Sequence, residues 1–351
     1  MTVKKIAMLL AMAVLQAALS VPQAVAQSAN SCQVHFQYCA GETWPVPPGT
    51  QCQNTYGVPY VCIDCWVGSN KCQAICQECQ QNTPTGGGPV NLANGDTFIT
   101  QTDLSIPGLG GGLTLSRTWH SQFPFGESVS TAGMFGGDWT STYEESIFID
   151  YVDQLVKYLR GTGGIWTFGI SGLGTPDYYA VIAPANGNVT LSYDGTFYTL
   201  AFLTGEKRIF SVATGQLLSM IDRNGNTTQM TYDTSNRLIT VTDPASRHLY
   251  FTYASASSNL VTGVSSDAGI SLSYAYDNMG RLTTVTKPDL TTVSFQYDSN
   301  SMITAVLDSQ GKVLESHTYD SLRRGLTSTR ANGVDSMTIT YPPIETGWLP
   351  F

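Results

Sequence analysis

The groups with the strongest chemistry in this sequence are its eight cysteines, all between positions 32 and 79 of a 351-residue chain. They run Cys32, Cys39, Cys52, Cys62, Cys65, Cys72, Cys76 and Cys79, and the pairs 62/65 and 76/79 have Cys-x-x-Cys spacing. An even set of thiols in a block too poor in apolar residues to fold on a core reads as a disulfide module, with the connectivity left open. Alternatively, Cys62, Cys65, Cys76 and Cys79 would give zinc the four thiolates of a tetrahedral site. Redox exchange at one Cys-x-x-Cys would need a lowered thiol pKa and a supporting βαβ fold, and the sequence shows only Lys71 nearby and no such pattern. The expectation is disulfides, with no metal and no cofactor.

The other reactive residue types are scattered. His35, His120, His248 and His317 stand singly. His317 shares a strand face with Glu315, so the two could form an acid–base or ligand pair; the expectation is a wetter row near an open sheet edge. Asp222-x-Asn224-Gly225-Asn226 looks like part of a calcium loop but lacks the later Glu, and reads as a turn. Asp233, Asp277, Asp298 and Asp320 recur too regularly for a catalytic dyad and are expected to accept backbone N–H bonds in turns. The sequence has no Gly-x-Ser-x-Gly elbow, His-Glu-x-x-His helix or phosphate-cradling loop, so a non-enzymatic protein is expected. Tyr178, Tyr179 and Trp348 could stack on sugar rings, which leaves carbohydrate binding as an alternative.

The elements that must position these residues announce themselves by repetition. A Tyr returns every 21 to 23 residues as Tyr232, Tyr253, Tyr276, Tyr297, Tyr319 and Tyr341, with Phe210 one period earlier; four of the six are followed by Asp. Such a period means stacked units, which usually build surfaces and shells. Within each unit two β-branched or aromatic runs are separated by turn formers, the grammar of a β-hairpin. Alternation in the second run groups Thr228/Met230/Tyr232, Leu249/Phe251/Tyr253, Leu272/Tyr274/Tyr276, Val293/Phe295/Tyr297, Glu315/His317/Tyr319 and Met337/Ile339/Tyr341 on one buried face. Ahead of the repeats, short β runs alternate with turn signals at Asn94-Gly95, Asn186-Gly187 and Asp194-Gly195. This stretch is expected to be a mostly antiparallel β domain, continuous with the first repeats and covering one end of the array. Leu155 to Leu159 could be a helical turn.

These residues resemble the Rhs/YD-repeat family. The resemblance rests on Asp222-Arg223-Asn224-Gly225-Asn226 leading to Tyr232-Asp233, and on Tyr276-Asp277-Asn278-Met279-Gly280-Arg281-Leu282. Pro89 to Asp96, Thr102-Asp103-Leu104, Leu115-Ser116-Arg117-Thr118-Trp119, Gly137-Asp138-Trp139 and Tyr143 look like the domain that precedes Rhs repeats. The resemblance implies a β-walled shell that encloses a C-terminal toxin or presents a binding surface. This chain lacks the segment that closes such shells, and only Pro342-Pro343 and a short tail follow Tyr341, so the toxin part is expected to be absent. About 13 strands give about 60 Å of sheet, a ring about 20 Å across if closed. That is too small for a folded domain of about 100 residues.

Composition bounds the partners. Charged residues make up 12% and the net charge is −9, which argues against nucleic acid and against docking on anionic lipid. Lys4 and Lys5, an apolar stretch from Ile6 to Val21 and Ala24-Val25-Ala26 read as a secretory signal, with no membrane span after its removal. The layout read from sequence is thus 1–26 signal peptide, 27–84 cysteine module, 85–88 glycine linker, 89–205 β domain and 206–351 hairpin repeats. The fold class is mostly β, with the repeats in a curved, partly open sheet. A secreted, periplasmic or cell-surface protein that binds another protein chain or a surface glycan is expected. The alternatives are a truncated part of a toxin-delivery shell, an adhesion protein, and a cysteine-based metal or redox protein.

Overall fold

The computed structural model describes residues 51–53, 59–61, 85–86, 89–92, 94–122, 132–150, 155–170, 177–183, 188–330, 333 and 335–341. The expected signal peptide, Trp348, His35 and every cysteine but Cys52 lie outside the described residues. Two compact units divide the chain, Met1–Ile75 and Cys76–Phe351. In the first, the described residues form one antiparallel hairpin, Gln51–Gln53 with Pro59–Val61.

The second unit is built on one open sheet of 19 antiparallel strands that pair in strict chain order, from Ser146–Asp150 to Asp335–Thr338. Thirteen of them lie from Lys207–Ser211 onward, the number expected of the repeats. The sheet runs without a break across residue 205, since Phe197–Phe202 pairs with Lys207–Ser211. Leu155–Leu159 is a strand and not a helical turn, because both of its edges are paired, to Ser146–Asp150 and to Ile165–Ile170. A five-residue helix would form too few bonds to compete with two ladders. Ser146 also bridges Gln216, and the Ile147 N–H donates to the Gly215 carbonyl at 2.8 Å. The first seven strands therefore curl back onto the loop that follows them, around Tyr158, Phe168, Leu191, Leu200 and Phe210.

The repeats follow one local rule. In the loop at Asp277, the Asp277 N–H donates to Arg281 O and the Gly280 N–H to Asp277 O, both at 3.0 Å. This is a three-residue hairpin loop whose last residue takes a left-handed backbone. Asn236, Ser246, Gly280, Ser301 and Arg323 occupy that position in their own loops along the array, with φ between 59° and 76°. The preceding Asp makes the conformation tolerable for non-glycine residues. Asp233 Oδ1 accepts the N–H groups of Ser235 and Arg237, both at 2.9 Å, and Asp277, Asp298 and Asp320 repeat the pattern. Asp222 does the same through Asn224 and Asn226, so its oxygens serve a turn.

Each marker tyrosine closes the unit behind it. Tyr232, Tyr253, Tyr276, Tyr297, Tyr319 and Tyr341 donate to the carbonyls of Leu217, Leu238, Val261, Leu282, Ile303 and Gly325, at 2.7 to 2.8 Å. A register shift sits immediately before the first five of them. That bulge absorbs one residue of the partner strand, so Leu282 and Val285 are both buried although three apart. The residues two and four before each Tyr are buried in the first five units, as alternation requires. The tyrosines themselves are half-buried, their rings against the core and their hydroxyls on backbone. Ile339 is also half-buried and lies past the last strand.

Candidate functional site

The buried face of the repeat wall is occupied by a second, three-stranded sheet of the same unit: Phe98–Ile106, Leu113–His120 and Trp139–Ser141. Its alternation turns Leu113, Leu115, Arg117 and Trp119 to the buried side. The guanidinium of Arg117 is thereby carried into the core, where it is wholly buried. A bulge between Thr102 and Leu104 leaves Asp103 as the extra residue and re-aims its carboxylate. Arg117 donates to Asp103 through Nε (2.5 Å) and Nη2 (2.8 Å), and the Tyr274 hydroxyl donates to the same carboxylate at 2.9 Å. The guanidinium lies 4.6 Å from the Trp139 ring and 5.9 Å from Phe295. Burial opposes the Arg117 charge, Asp103 favours it, and the balance holds the group above its usual value.

Other pins run the length of the wall. Trp139 meets Phe295 edge-on with centroids 5.1 Å apart, and Trp119 meets Tyr319 at 6.2 Å. Asp138 pairs with Arg323 at 2.6 Å; burial pushes its carboxyl up to about 6, with Arg323 opposing. The Asn94-Gly95-Asp96 turn delivers the Gly95 carbonyl to the Gly325 N–H at 2.8 Å. Gly95 has φ +81°, and a Cβ there would lie 2.5 Å from the Tyr341 hydroxyl. The Asp96 carboxylate meets His120 Nδ1 at 2.7 Å, and His120 Nε2 faces the Thr162 carbonyl at 2.6 Å. Sequence reading places this region over one end of the array. The structure instead lays its first part along the repeats as far as Tyr341, because its pins are spaced along the chain. These pins come from the motifs ahead of the repeats that carried part of the family resemblance.

Where the two sheets part, a cleft of about 420 Å³ remains, lined by Trp139, Glu144, Glu145, Tyr232, Arg237 and Tyr253 among others. Glu145 is matched by the Tyr158 hydroxyl (2.7 Å) and by Arg208 (3.2 Å). Arg237 is matched by Asp233 at 2.7 Å and lies over Tyr253, 4.6 Å from the ring centre. Glu144 accepts the Met134 N–H through Oε1, while its Oε2 is buried without a hydrogen-bond partner. Burial, opposed by the Met134 N–H and the Ser141 hydroxyl, pushes the Glu144 carboxyl up to about 7.

The residues singled out by sequence divide as follows. Glu315 and His317 do fall on one strand, but the row is buried, not wet: His317 is 2% exposed. Its ring nitrogens have no hydrogen-bond partner, its Nε2 is 3.9 Å from Glu315, and Glu315 bonds to Arg330 at 3.0 Å instead. Burial and the Arg330 charge push His317 down to about 4, and a neutral imidazole is what this dry position tolerates. His248 sits on the outer side beside Asp267, at 2.7 Å. Tyr178 and Tyr179 lie in the strand Asp177–Ala183 and Cys52 in Gln51–Gln53; their side chains are outside the described residues. Sequence reading missed Arg117 and Glu144. Parity could have found Arg117, which alternates with Leu113, Leu115 and Trp119; Glu144 leaves no such signal.

Residues 87–168 match the family model of a domain of unknown function, DUF6531, and residues 213–248 and 257–292 match the RHS Repeat model. No curated protein matches the chain. Among solved structures, TcdB2-TccC3-Cdc42 is similar at 15% identity and TM-score 0.28 over 55% of this chain and 12% of that one. The Photorhabdus luminescens Tc holotoxin pore is similar at 12% and 0.30, over 66% and 14%, and TcdB2-TccC3-TEV at 14% and 0.28, over 82% and 13%. This chain thus spans 12 to 14% of the length of those chains. With two successive stretches of its wall matching RHS repeats and a DUF6531 match ahead of them, this chain is an Rhs/YD-repeat protein.

Proposed function

We propose that this protein is an exported, non-enzymatic wall that presents its outer face and edges to another protein chain at the cell envelope or outside the cell. One observation carries the reading: the buried face of the repeats is filled by the chain's own Arg117, Trp119 and Trp139. That leaves the outer face and the edges for contact with anything else. The described histidines support a structural role, since His120 is tied to Asp96 and Thr162, His248 to Asp267, and His317 is sealed in the core. A leader of signal-peptide type supports export.

Fractionation of cells producing the full chain with a C-terminal tag, followed by in situ cross-linking, tests this. The expected result is a processed protein in the envelope or medium, cross-linked to protein through the outer faces of its hairpins. Retention of the unprocessed chain in the cytosol would overturn the export, and a cross-linked product limited to the monomer would overturn the interaction role. The open order of the sheet favours a second reading, a section of a larger shell. In that case the partner is a chain whose strand pairs with Asp335–Thr338, and the cross-links concentrate there.

A further inference from the structure

The strands of the wall alternate in direction, so every second loop lies on one margin: 203–206, 222–226, 243–247, 266–270, 287–291 and 308–312. The three most exposed leucines among the described residues are all on this margin. Leu203 and Leu290 stand in loops at 81% and 82% exposure, and Leu109, at 61%, belongs to a glycine-rich turn laid against the same row. A Cβ on Gly110 would meet Pro244 at 3.2 Å and Asn226 at 3.5 Å, which sets that turn on loops 222–226 and 243–247.

Leu290 sits where a leucine is least expected. Its N–H donates to the Lys287 carbonyl at 2.9 Å, closing the loop, and its φ is +65°. The same position holds Gly225, Gly269 and Gly311 in three other loops of this margin, and Ser246 in a fourth. A leucine is strained in that conformation, and at 82% exposure it has no packing to offset the strain. Neither the turn nor the core accounts for it, which points to a contact made outside the chain. Beside Leu109 and Leu203 lies a hollow lined by Gly110, Gly111, Thr204, Glu206, Asp222 and Arg223. Asp222 is committed to its own turn. Glu206 and Arg223 are exposed, and among the described residues neither forms an ion pair. One cation and one carboxylate flanked by protruding leucines match a phosphate–ammonium headgroup with acyl chains beneath it.

We propose that this loop margin docks on a zwitterionic phospholipid surface, with Leu109, Leu203 and Leu290 among the acyl chains and Arg223 and Glu206 on a headgroup. Loops about 10 Å apart spread the leucines over roughly 40 Å. Side chains that far apart cannot share one pocket of a partner protein, whereas an apolar slab takes each of them where it lands. Lys207, Arg223, Lys287 and Lys312 offset the turn aspartates here, so the margin escapes the acidic balance of the whole chain. The contact is peripheral. It adds a lipid surface to the protein contacts proposed above and does not depend on them.

The test is flotation of the full chain with vesicles of phosphatidylcholine and phosphatidylethanolamine, with and without phosphatidylglycerol. Reversible co-flotation is expected with the zwitterionic vesicles, with no gain from the anionic lipid. Leu203→Ser and Leu290→Ser should each lower the partition coefficient about tenfold, while Met279→Ser, at a 69%-exposed position on the opposite margin, should leave it within about twofold. A retained leader would bind lipid equally in every variant, so the differences report the margin alone. Leu290→Gly removes the side chain and the strain together, and should bind as weakly as Leu290→Ser at a urea midpoint no lower than that of the unaltered chain. No flotation, flotation only with phosphatidylglycerol, leucine variants that bind normally, or equal loss from Met279→Ser would overturn the proposal.

Discussion

The hairpin wall and the three-stranded sheet laid against it are both antiparallel β structure, yet they are held in opposite ways. In the wall, a tyrosine hydroxyl reaches a carbonyl 15 or 16 residues back, and an aspartate organises the loop it begins. The same two devices recur in unit after unit. The inner sheet is held by contacts that do not repeat, and their partners are remote: Asp103 to Tyr274 spans 171 residues, and Asp138 to Arg323 spans 185. A structure held by many equal local contacts loses little when one is removed. One held by a few buried, charged, long-range contacts depends on each of them.

Four experiments sharpen or break that contrast. Arg117→Ala should have the largest effect, because it leaves the Asp103 carboxylate buried without its cation. We expect a loss of about 3–5 kcal/mol, read as a lower urea midpoint at unchanged m-value. Pairing Arg117→Met with Asp103→Leu should recover at least half of it, and no recovery would mean that packing, not charge, explains the loss. Acidification comes next. His317 titrates near 4 in the folded protein against an ordinary value near 6.5, so the unfolded chain binds the extra proton between those values. Stability is therefore whole above about pH 6.5 and falls as pH drops toward 4, by about 3 kcal/mol at most. His317→Phe should flatten that part of the profile. Glu144 has the opposite sign: held near 7, it stabilises at low pH and its contribution fades as pH rises through 7.

Removing one clasp should cost far less. Tyr276→Phe deletes a single hydroxyl bond, worth about 1 kcal/mol, and Tyr232→Phe and Tyr297→Phe should each cost about the same. Unequal losses would break the picture of interchangeable units. The smallest effect belongs to the loop surface. Arg281→Ala removes a partly exposed ion pair with Asp277, and the shift should stay under about 1 kcal/mol.

The same contrast explains what the sequence revealed. The hairpins, the buried parity of Phe251 and Phe295 and the turn role of Asp233 could be read because each depends on neighbours within one or two periods. The one-residue register shift before the first five tyrosines could not be read, since Leu282 and Val285 do not follow a period of two until the bulge is known. The placement of the inner sheet was hidden for a different reason. Nothing near Trp119 in the chain points to Tyr319, and nothing beside Glu144 shows that two sheets part there. Arg117 is the intermediate case, because its strand parity announced burial while the identity of its counter-ion stayed with a bulge in the neighbouring strand.

The short reach of the tyrosine clasps also sets a timetable. A chain delivered from its N-terminus can zip each hairpin closed as soon as the next two strands emerge, with no memory of what came before. Trp119 and Gly95, by contrast, must wait for Tyr319 and Gly325, almost the last residues of the wall. A segment delivered ahead of the whole wall is therefore among the last to be locked down, and until then its tryptophans need shelter.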